Sequence, residues 1–244
     1  MKPAPFSLHR PKTLGEAVSL LASLADEDVR IIAGGQSLVP IMAFRLARPG
    51  HLIDLNCVAG LAEIKDRADA LEIGALVRHN DIAKAKQGGT TLAILQAVMP
   101  NIAHHPIRTR GTFCGSLAHA DPASEWCLSA ATLDAVLVAQ SAKGERQIAA
   151  RDWFMGAMTT CCELVDGRIA NARIGIGGAE GHPRRITEGE AVLNGAVPGQ
   201  DLFTKAGAAV AAALDPMEDQ STNAAYRRDL AAALVERALA EAAV

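Results

Sequence analysis

A short apolar strand that breaks at two consecutive glycines is the feature that most constrains this chain. Residues 29–33 form a short run that is mostly β-branched and apolar. Gly34 and Gly35 follow it directly in the segment AGGQSLVP, residues 33–40. Glycine has no Cβ, so the backbone can turn tightly and several N–H groups can converge on an anion. The segment predicts a turn suited to a pyrophosphate, with a purely structural turn as the alternative.

A second segment of small residues, TRGTFCGSLAHADP, covers residues 109–122. Thr112, Gly115 and Ser116 offer hydrogen-bond donors there, and Asp121 offers an acceptor. Neither segment is GxGxxG, and the βαβ spacing of a Rossmann dinucleotide site is missing. Two such segments can hold one diphosphate from both sides, so together they predict a dinucleotide cradle of another kind.

The pattern along the chain predicts an α+β protein. Thr13 and Glu16 form a capping-box pattern before an amphipathic helix, and Pro106 predicts an extended or turning exit from a long helix. Asp166 and Gly167 predict a hairpin turn. Strands are predicted at residues 29–33, 51–55, 61–64, 70–74, 135–139, 146–149 and 168–177, and helices at 41–46, 80–86, 90–103, 123–133, 188–193, 202–214 and 224–242.

The predicted final helix presents one apolar face, formed by Tyr226, Leu230, Leu234 and Ala238, to the protein core. The first structural unit is predicted to end near Ala157.

Composition favours small-molecule chemistry over nucleic-acid binding. Half of the 244 residues are apolar, and the formal net charge is −3. The N-terminus lacks the apolar stretch of a secretory signal and no membrane span is predicted, so we expect a cytoplasmic protein. The five cysteines form no CxxC pair, which predicts no metal or iron–sulfur site within this chain.

Five sequence segments together resemble the FAD-binding middle subunits of molybdenum hydroxylases, a family that includes carbon monoxide dehydrogenases, xanthine dehydrogenases and N-heterocycle oxidoreductases. The resemblance spans nearly the whole chain. Its segments are AGGQSLVPIMAFRLARPGHLIDLN at 33–56, IGALVRHNDI at 73–82, IRTRGTFCGSLAHADPASEW at 107–126, RDWFMG at 151–156 and YRRDLAAALVERAL at 226–239.

This resemblance implies a PCMH-type FAD-binding fold of two α+β subdomains, at about residues 1–56 and 57–157, with a smaller C-terminal α+β domain at 158–244. It implies a heterotrimer in which a large molybdopterin-binding subunit hydroxylates the substrate and a small subunit carries 2Fe–2S clusters. FAD in this chain would then pass electrons to an external acceptor. No side chain of this chain is expected to be catalytic.

The resemblance also assigns residues to FAD binding, mostly through backbone groups. Asp121 and Glu125 are expected to hold FAD hydroxyls. The two segments are expected to wrap the diphosphate through Ala33, Gly34, Gly35, Gln36, Ser37 and Leu38, and through Thr112, Phe113, Cys114, Gly115 and Ser116.

The chain departs from the family pattern in three places. Cys114 stands where many relatives have glycine, and Glu125 stands where aspartate is common. Relatives usually carry several dozen residues, some flanking the isoalloxazine, between the segments that match residues 159–163 and 166–177. Two alternatives therefore stay open: a non-catalytic assembly subunit with an impaired flavin site, and a self-sufficient flavin oxidase or dehydrogenase.

Overall fold

The computed structural model describes residues 2–67, 69–121, 124–150, 153, 159–181, 184–218 and 222–242. The chain divides into two units. Unit 1 comprises residues 1–119 and 138–147, and unit 2 comprises residues 120–137 and 148–244. Both mix helices and strands, which confirms the predicted α+β class. The predicted boundary at Ala157 lies outside the described residues.

Unit 1 begins with a three-stranded parallel sheet whose strand order is β1-β3-β2. Parallel neighbours need crossover connections, and α1 and α2 provide them. The sequence of elements is β1 (Ser7–His9), α1 (Leu14–Ser23), β2 (Val29–Ile32), α2 (Leu38–Ala43) and β3 (His51–Asp54). Leu52 and Ile53 of the central strand β3 are buried. The glycine segment therefore leaves a sheet edge strand directly into α2.

The capping residues of α1 act as the sequence predicts. Thr13 Oγ1 accepts the Glu16 N–H at 3.2 Å, and Glu16 Oε2 in turn accepts the Lys12 N–H at 2.7 Å. These two bonds satisfy donors at the helix start that have no partner inside the helix. The predicted first helix is confirmed.

The remainder of residues 1–119 is an antiparallel hairpin followed by short helices. His79 and Ile82, both in the first of these helices, are buried. The elements are β4 (Ile64–Asp66), β5 (Leu71–Ile73), α3 (His79–Lys84), α4 (Gly89–Val98), a 3-10 turn (Met99–Asn101), α5 (His105–Arg110) and α6 (Phe113–His119).

The extended or turning exit predicted before Pro106 is present at His104, whose backbone is extended. The small-residue bend predicted at residues 109–122 was wrong, because α5 and α6 occupy most of its described residues. Pro106 lies in the first turn of α5, where a missing N–H does no harm because that donor has no helical partner. Thr112 Oγ1 accepts the Gly115 N–H at 3.1 Å, which is a helix-capping bond. The second glycine segment is therefore a helix junction rather than an open loop.

Unit 2 is built on an antiparallel sheet of order β10-β9-β8 with helices packed against it. Asp166 and Gly167 have φ values of 50° and 73°, so the predicted hairpin turn is confirmed. Its elements are α7 (Glu125–Thr132), β8 (Thr159–Val165), β9 (Arg168–Ile176), β10 (Arg184–Arg185), α8 (Thr187–Leu193), α9 (Gln200–Ala213) and α10 (Ala224–Ala242). Strands β6 (Val136–Ser141) and β7 (Gly144–Ala149) form a separate two-stranded sheet.

The buried face of α10 differs from the predicted one. Ala231, Val235 and Leu239 are buried, whereas Tyr226 and Leu230 are 54% and 43% exposed. The reason lies on α9, where a Cβ on Gly207 would come within 2.7 Å of the Ala232 carbonyl oxygen. The two helices approach so closely that small residues, rather than the largest apolar ones, occupy the contact. Within the described ranges, no helix is both long and apolar enough to cross a bilayer.

Candidate functional site

The first glycine segment, residues 33–38, forms the turn between β2 and α2. Gly35 has φ +70°, a conformation that glycine adopts without strain. The turn is closed by its own groups: the Val39 N–H donates to the Gly35 carbonyl at 3.0 Å, and Gln36 Nε2 donates to the Gly34 carbonyl at 3.1 Å. The Gln36 side chain thus stabilises the turn rather than projecting from it.

Several backbone donors of this turn are available to a ligand. In the part of the chain that the structure describes, the N–H groups of Gly34, Gly35, Gln36 and Ser37 donate to no acceptor. Successive N–H groups in a glycine turn are a common way to bind phosphate oxygens. The segment contains no carboxylate that would repel an anion.

The two glycine segments lie against each other within unit 1. A Cβ on Gly34 would come within 2.5 Å of the Arg110 carbonyl oxygen and 2.7 Å of Gly111 Cα. Only glycine at position 34 allows this backbone-to-backbone approach. The structure therefore brings together the two segments that the sequence marks out separately.

Most polar groups at the start of the second segment bind within the protein. The Phe113 N–H donates to the Val77 carbonyl at 2.9 Å, and the Ser116 N–H donates to the Thr112 carbonyl at 3.1 Å. Thr112 and Phe113 are buried. These contacts fix the backbone of the segment, and the predicted role of its residues in cofactor binding stays a prediction.

Cys114 is a partly buried thiol. Its Sγ lies 3.6 Å from the Ile73 carbonyl oxygen and 3.7 Å from that of Gly74. Burial raises the pKa of Cys114 to about 11, so the thiol stays protonated at neutral pH.

Asp121 and Glu125 belong to unit 2. The Asp121 carbonyl accepts the Ser124 N–H at 3.0 Å, and Ser124 caps α7 through a 3.5 Å bond from the Cys127 N–H. Glu125 is the first residue of that helix. The expectation that these carboxylates hold FAD hydroxyls stays a prediction.

Sequence reasoning missed two residues beside the glycine segments, Arg78 and His79. Arg78 Nη1 donates to the Arg110 carbonyl, and its Nη2 donates to Asn56 Oδ1. His79 is buried so tightly that a Cβ on Gly111 would come within 2.5 Å of its Nε2. The segment IGALVRHNDI marked this region by resemblance, but no local pattern indicated which side chains reach the turns.

The geometry of unit 1 fits a dinucleotide diphosphate. Four consecutive backbone donors that have no acceptor in the described ranges lie on a glycine turn, and a second glycine segment lies directly against that turn. A diphosphate offers the acceptor oxygens that such donors need.

Comparison with known proteins identifies the class. The family "FAD binding domain in molybdopterin dehydrogenase" matches residues 4–171, and "CO dehydrogenase flavoprotein C-terminal domain" matches residues 144–242. The chain therefore belongs to the family of FAD-binding domains of molybdopterin dehydrogenases. It is a flavoprotein component of an oxidoreductase, and its cofactor is FAD.

Two relatives align with this chain over almost the full length of both proteins. The nicotine 6-hydroxylase medium subunit of Paenarthrobacter nicotinovorans is 34% identical over 271 residues, covering 95% of each chain. The caffeine dehydrogenase subunit beta of Pseudomonas sp. (strain CBB1) is 32% identical over 285 residues, covering 100% of this chain and 96% of that one.

Two solved structures confirm the PCMH-type fold. Carbon monoxide dehydrogenase from Hydrogenophaga pseudoflava, in a form lacking the Mo-pyranopterin moiety of its cofactor, superposes with a TM-score of 0.88 at 28% identity, covering 99% of this chain and 98% of that one. Quinoline 2-oxidoreductase from Pseudomonas putida 86 superposes with a TM-score of 0.87 at 32% identity, covering 100% and 98%.

Proposed function

We propose that this chain is the FAD-binding electron-transfer subunit of a molybdenum hydroxylase complex. Electrons would enter from 2Fe–2S clusters of a partner subunit and leave to an external acceptor. The observation that carries the proposal is the pair of adjoining glycine segments, with four backbone donors that find no acceptor among the described residues. Bound FAD would supply the chemistry that links one-electron entry to two-electron exit.

The residues of this chain would bind and orient the cofactor rather than react. The N–H groups of residues 34–37 would hold diphosphate oxygens, and the capped start of α6 would support the other side. Asp121 and Glu125 would accept hydrogen bonds from FAD hydroxyls, as carboxylates do in many nucleotide sites. In this proposal these residues belong to an FAD-binding domain at residues 1–157, and residues 158–244 form the C-terminal domain.

The proposed partners are a large molybdopterin-binding subunit and a small 2Fe–2S subunit, in a cytoplasmic heterotrimer. Support comes from the relatives, one of which is the medium subunit of nicotine 6-hydroxylase and another subunit beta of caffeine dehydrogenase. This proposal predicts that the chain copurifies with two further subunits when the three are expressed together.

The first test is to purify the chain with its partners, record the visible spectrum and quantify released FAD. About one FAD per chain, reduced by a substrate of the complex only when the 2Fe–2S subunit is present, is the expected result. A folded complex that stays colourless and takes up no added FAD would reject the proposal. FAD reduction by an organic donor in the isolated chain would favour a self-sufficient flavin enzyme.

One observation favours a second candidate, a non-catalytic assembly subunit. The alignment with the caffeine dehydrogenase subunit covers 285 positions and all of this chain, which has 244 residues, so about 41 aligned positions have no residue here. In this structure β8 and β9 are joined by the tight turn at Asp166 and Gly167. A stable complex that lacks flavin but retains the other two subunits would support this candidate.

A further inference from the structure

The side chain of Arg78 reaches acceptors that belong to two separate segments of unit 1. Its Nη1 donates to the Arg110 carbonyl, immediately before Gly111 in the second glycine segment. Its Nη2 donates to Asn56 Oδ1, which follows strand β3. A guanidinium is planar and carries donors on both terminal nitrogens, so it can hold two acceptors at a fixed spacing.

Asn56 extends this contact to the first glycine segment. Its Nδ2 donates to the Ala33 carbonyl at 2.8 Å and to Asp54 Oδ1 at 2.6 Å. With its oxygen bound to Arg78 and its nitrogen bound to two acceptors, the amide has only one orientation that satisfies all three contacts. Arg78 is therefore linked to the backbone of both glycine segments, directly to one and through Asn56 to the other.

The backbone around Arg78 is itself attached to the second segment. The His79 N–H donates to the Gly111 carbonyl at 3.1 Å, and the Phe113 N–H donates to the Val77 carbonyl at 2.9 Å. The Arg78 N–H donates to Asp81 Oδ2 at 3.1 Å. The guanidinium thus extends from a backbone that is itself bonded to the second segment.

We propose that Arg78 is a positioning residue for FAD, which holds the two glycine segments at the spacing that the diphosphate requires, with Asn56 as its intermediary. The inference rests on the proposed function, because it assumes that the diphosphate binds between these segments. Its energetic effect is preorganisation: segments already in place lose less conformational freedom when the cofactor binds. Arg78 itself need not contact FAD.

The test uses the full-length chain as Arg78→Met and Arg78→Lys variants, with Arg67→Met as the matched control. Arg67 also makes two side-chain hydrogen bonds, but to Glu72 in the β4–β5 hairpin. FAD affinity is measured by flavin fluorescence, and hydrogen exchange is measured in the apoproteins. We expect Arg78→Met to weaken FAD binding by about tenfold to hundredfold, as losing a charged donor between two acceptors does.

Arg78→Lys should recover little of this affinity, since one ammonium cannot reproduce the two-ended contact. In the apoprotein, Arg78→Met should accelerate exchange of the Val39 and Ile41 N–H groups, which donate to the Gly35 and Ser37 carbonyls, and exchange in residues 110–116. Arg67→Met should change neither exchange nor affinity. An Arg78→Met variant that melts at a lower temperature but binds FAD as tightly as the wild type would overturn the proposal.

The role of Asn56 is tested by a double-mutant cycle with Asn56→Ala. Because both residues lie in one chain of contacts, the double variant should lose about as much FAD affinity as the Arg78→Met variant alone. Additive losses would overturn the link through Asn56. If the wild-type chain bound no FAD, the proposed function would fail, whereas the exchange measurement would still decide whether Arg78 couples the two segments.

Discussion

Gly34 and Gly15 allow a comparison of two glycines in the same unit. A Cβ on Gly34 would meet the Arg110 carbonyl at 2.5 Å, whereas a Cβ on Gly15, within α1, would meet nothing within 4 Å. We expect Gly34→Ala to destabilise the protein by about 1–3 kcal/mol by overpacking and to weaken FAD binding. Gly15→Ala should stabilise it by about 0.5–1 kcal/mol. Denaturant unfolding and FAD titration check both, and equal effects would contradict the close approach at Gly34.

His79 should make stability depend on pH. Burial, and secondarily the charge of Arg78, lowers the pKa of His79 to about 4 from a usual 6.5. Between pH 4 and pH 6.5, His79 binds a proton in the unfolded chain but not in the folded protein. The free energy of unfolding should therefore be greatest above pH 6.5 and fall, by roughly 2–3 kcal/mol, as the pH decreases towards 4.

Urea unfolding at a series of pH values measures this effect in the wild type and in His79→Gln. The variant should have a smaller pH dependence between pH 6.5 and 4. His105→Gln, which changes an exposed histidine of the same unit, should retain the wild-type dependence. An unchanged profile in His79→Gln would contradict the assignment.

The cysteines should differ in reactivity. Cys114 and Cys127 are both buried enough for the pKa of each thiol to be raised to about 11, whereas Cys57 is exposed. Since the thiolate is the nucleophile, iodoacetamide at pH 8 should modify Cys57 before Cys114 and Cys127 in the native protein. Mass spectrometry of tryptic peptides measures the order, and early modification of Cys114 would show that its segment opens readily.

At the level of elements, Glu190 joins α8 to the sheet of unit 2. Its side chain is 5% exposed, accepts the Ile174 N–H at 2.9 Å, and forms bonds of 2.7 and 2.9 Å with Arg185. The hydrogen bond to Glu190 is the main cause that raises the pKa of Arg185. Removing the Glu190 carboxylate leaves the Ile174 N–H without its acceptor, whereas Arg185 keeps a bond to Asp134 Oδ2 at 2.9 Å.

Glu190→Ala should therefore destabilise the protein by about 1–3 kcal/mol, the cost of leaving a buried donor without its acceptor. Glu188→Ala, in the same helix but exposed, should change the unfolding free energy by less than about 0.5 kcal/mol. Thermal and denaturant unfolding compare the two variants. Similar small losses from both would show that the Glu190 contacts do not stabilise α8 against β9.

Elements with local signals were predictable from the sequence. The capping residues Thr13 and Glu16 defined α1, and Asp166 with Gly167 defined the β8–β9 turn. The helices α5 and α6 were not predicted, because Pro106 is compatible with both a helix end and a helix start. The buried face of α10 was misplaced because it depends on Gly207 of another helix, which no pattern within α10 encodes.

The candidate site was predictable only in part, for a similar reason. Glycine segments have a local signature, and their adjacency is confirmed by the contact of Gly34 with Gly111. The proposed positioning role of Arg78 depends on hydrogen bonds to Asn56 and Arg110, which are 22 and 32 residues away in sequence. Side-chain reach across such separations follows from the tertiary fold and not from spacing along the chain.

For the whole molecule, the short turn between β8 and β9 should affect access to the flavin. The sequence resemblance implies that relatives carry a longer segment here with residues that flank the isoalloxazine. We expect bound FAD in this chain to be quenched by iodide more strongly than in a chimera whose Asp166–Gly167 turn is replaced by the longer segment of a relative. Equal quenching, with equal FAD content, would mean that other residues cover the ring.

The contact between Gly34 and residues 110–111 also has a consequence for biosynthesis. The two halves of the proposed diphosphate site are distant in sequence, so the site is incomplete on a nascent chain until the second segment has left the ribosome. Cofactor loading would then be a late event, following the folding of unit 1 rather than guiding its first steps. The cell would need a supply of free FAD at the moment when the subunit is finished and its partners begin to assemble on it.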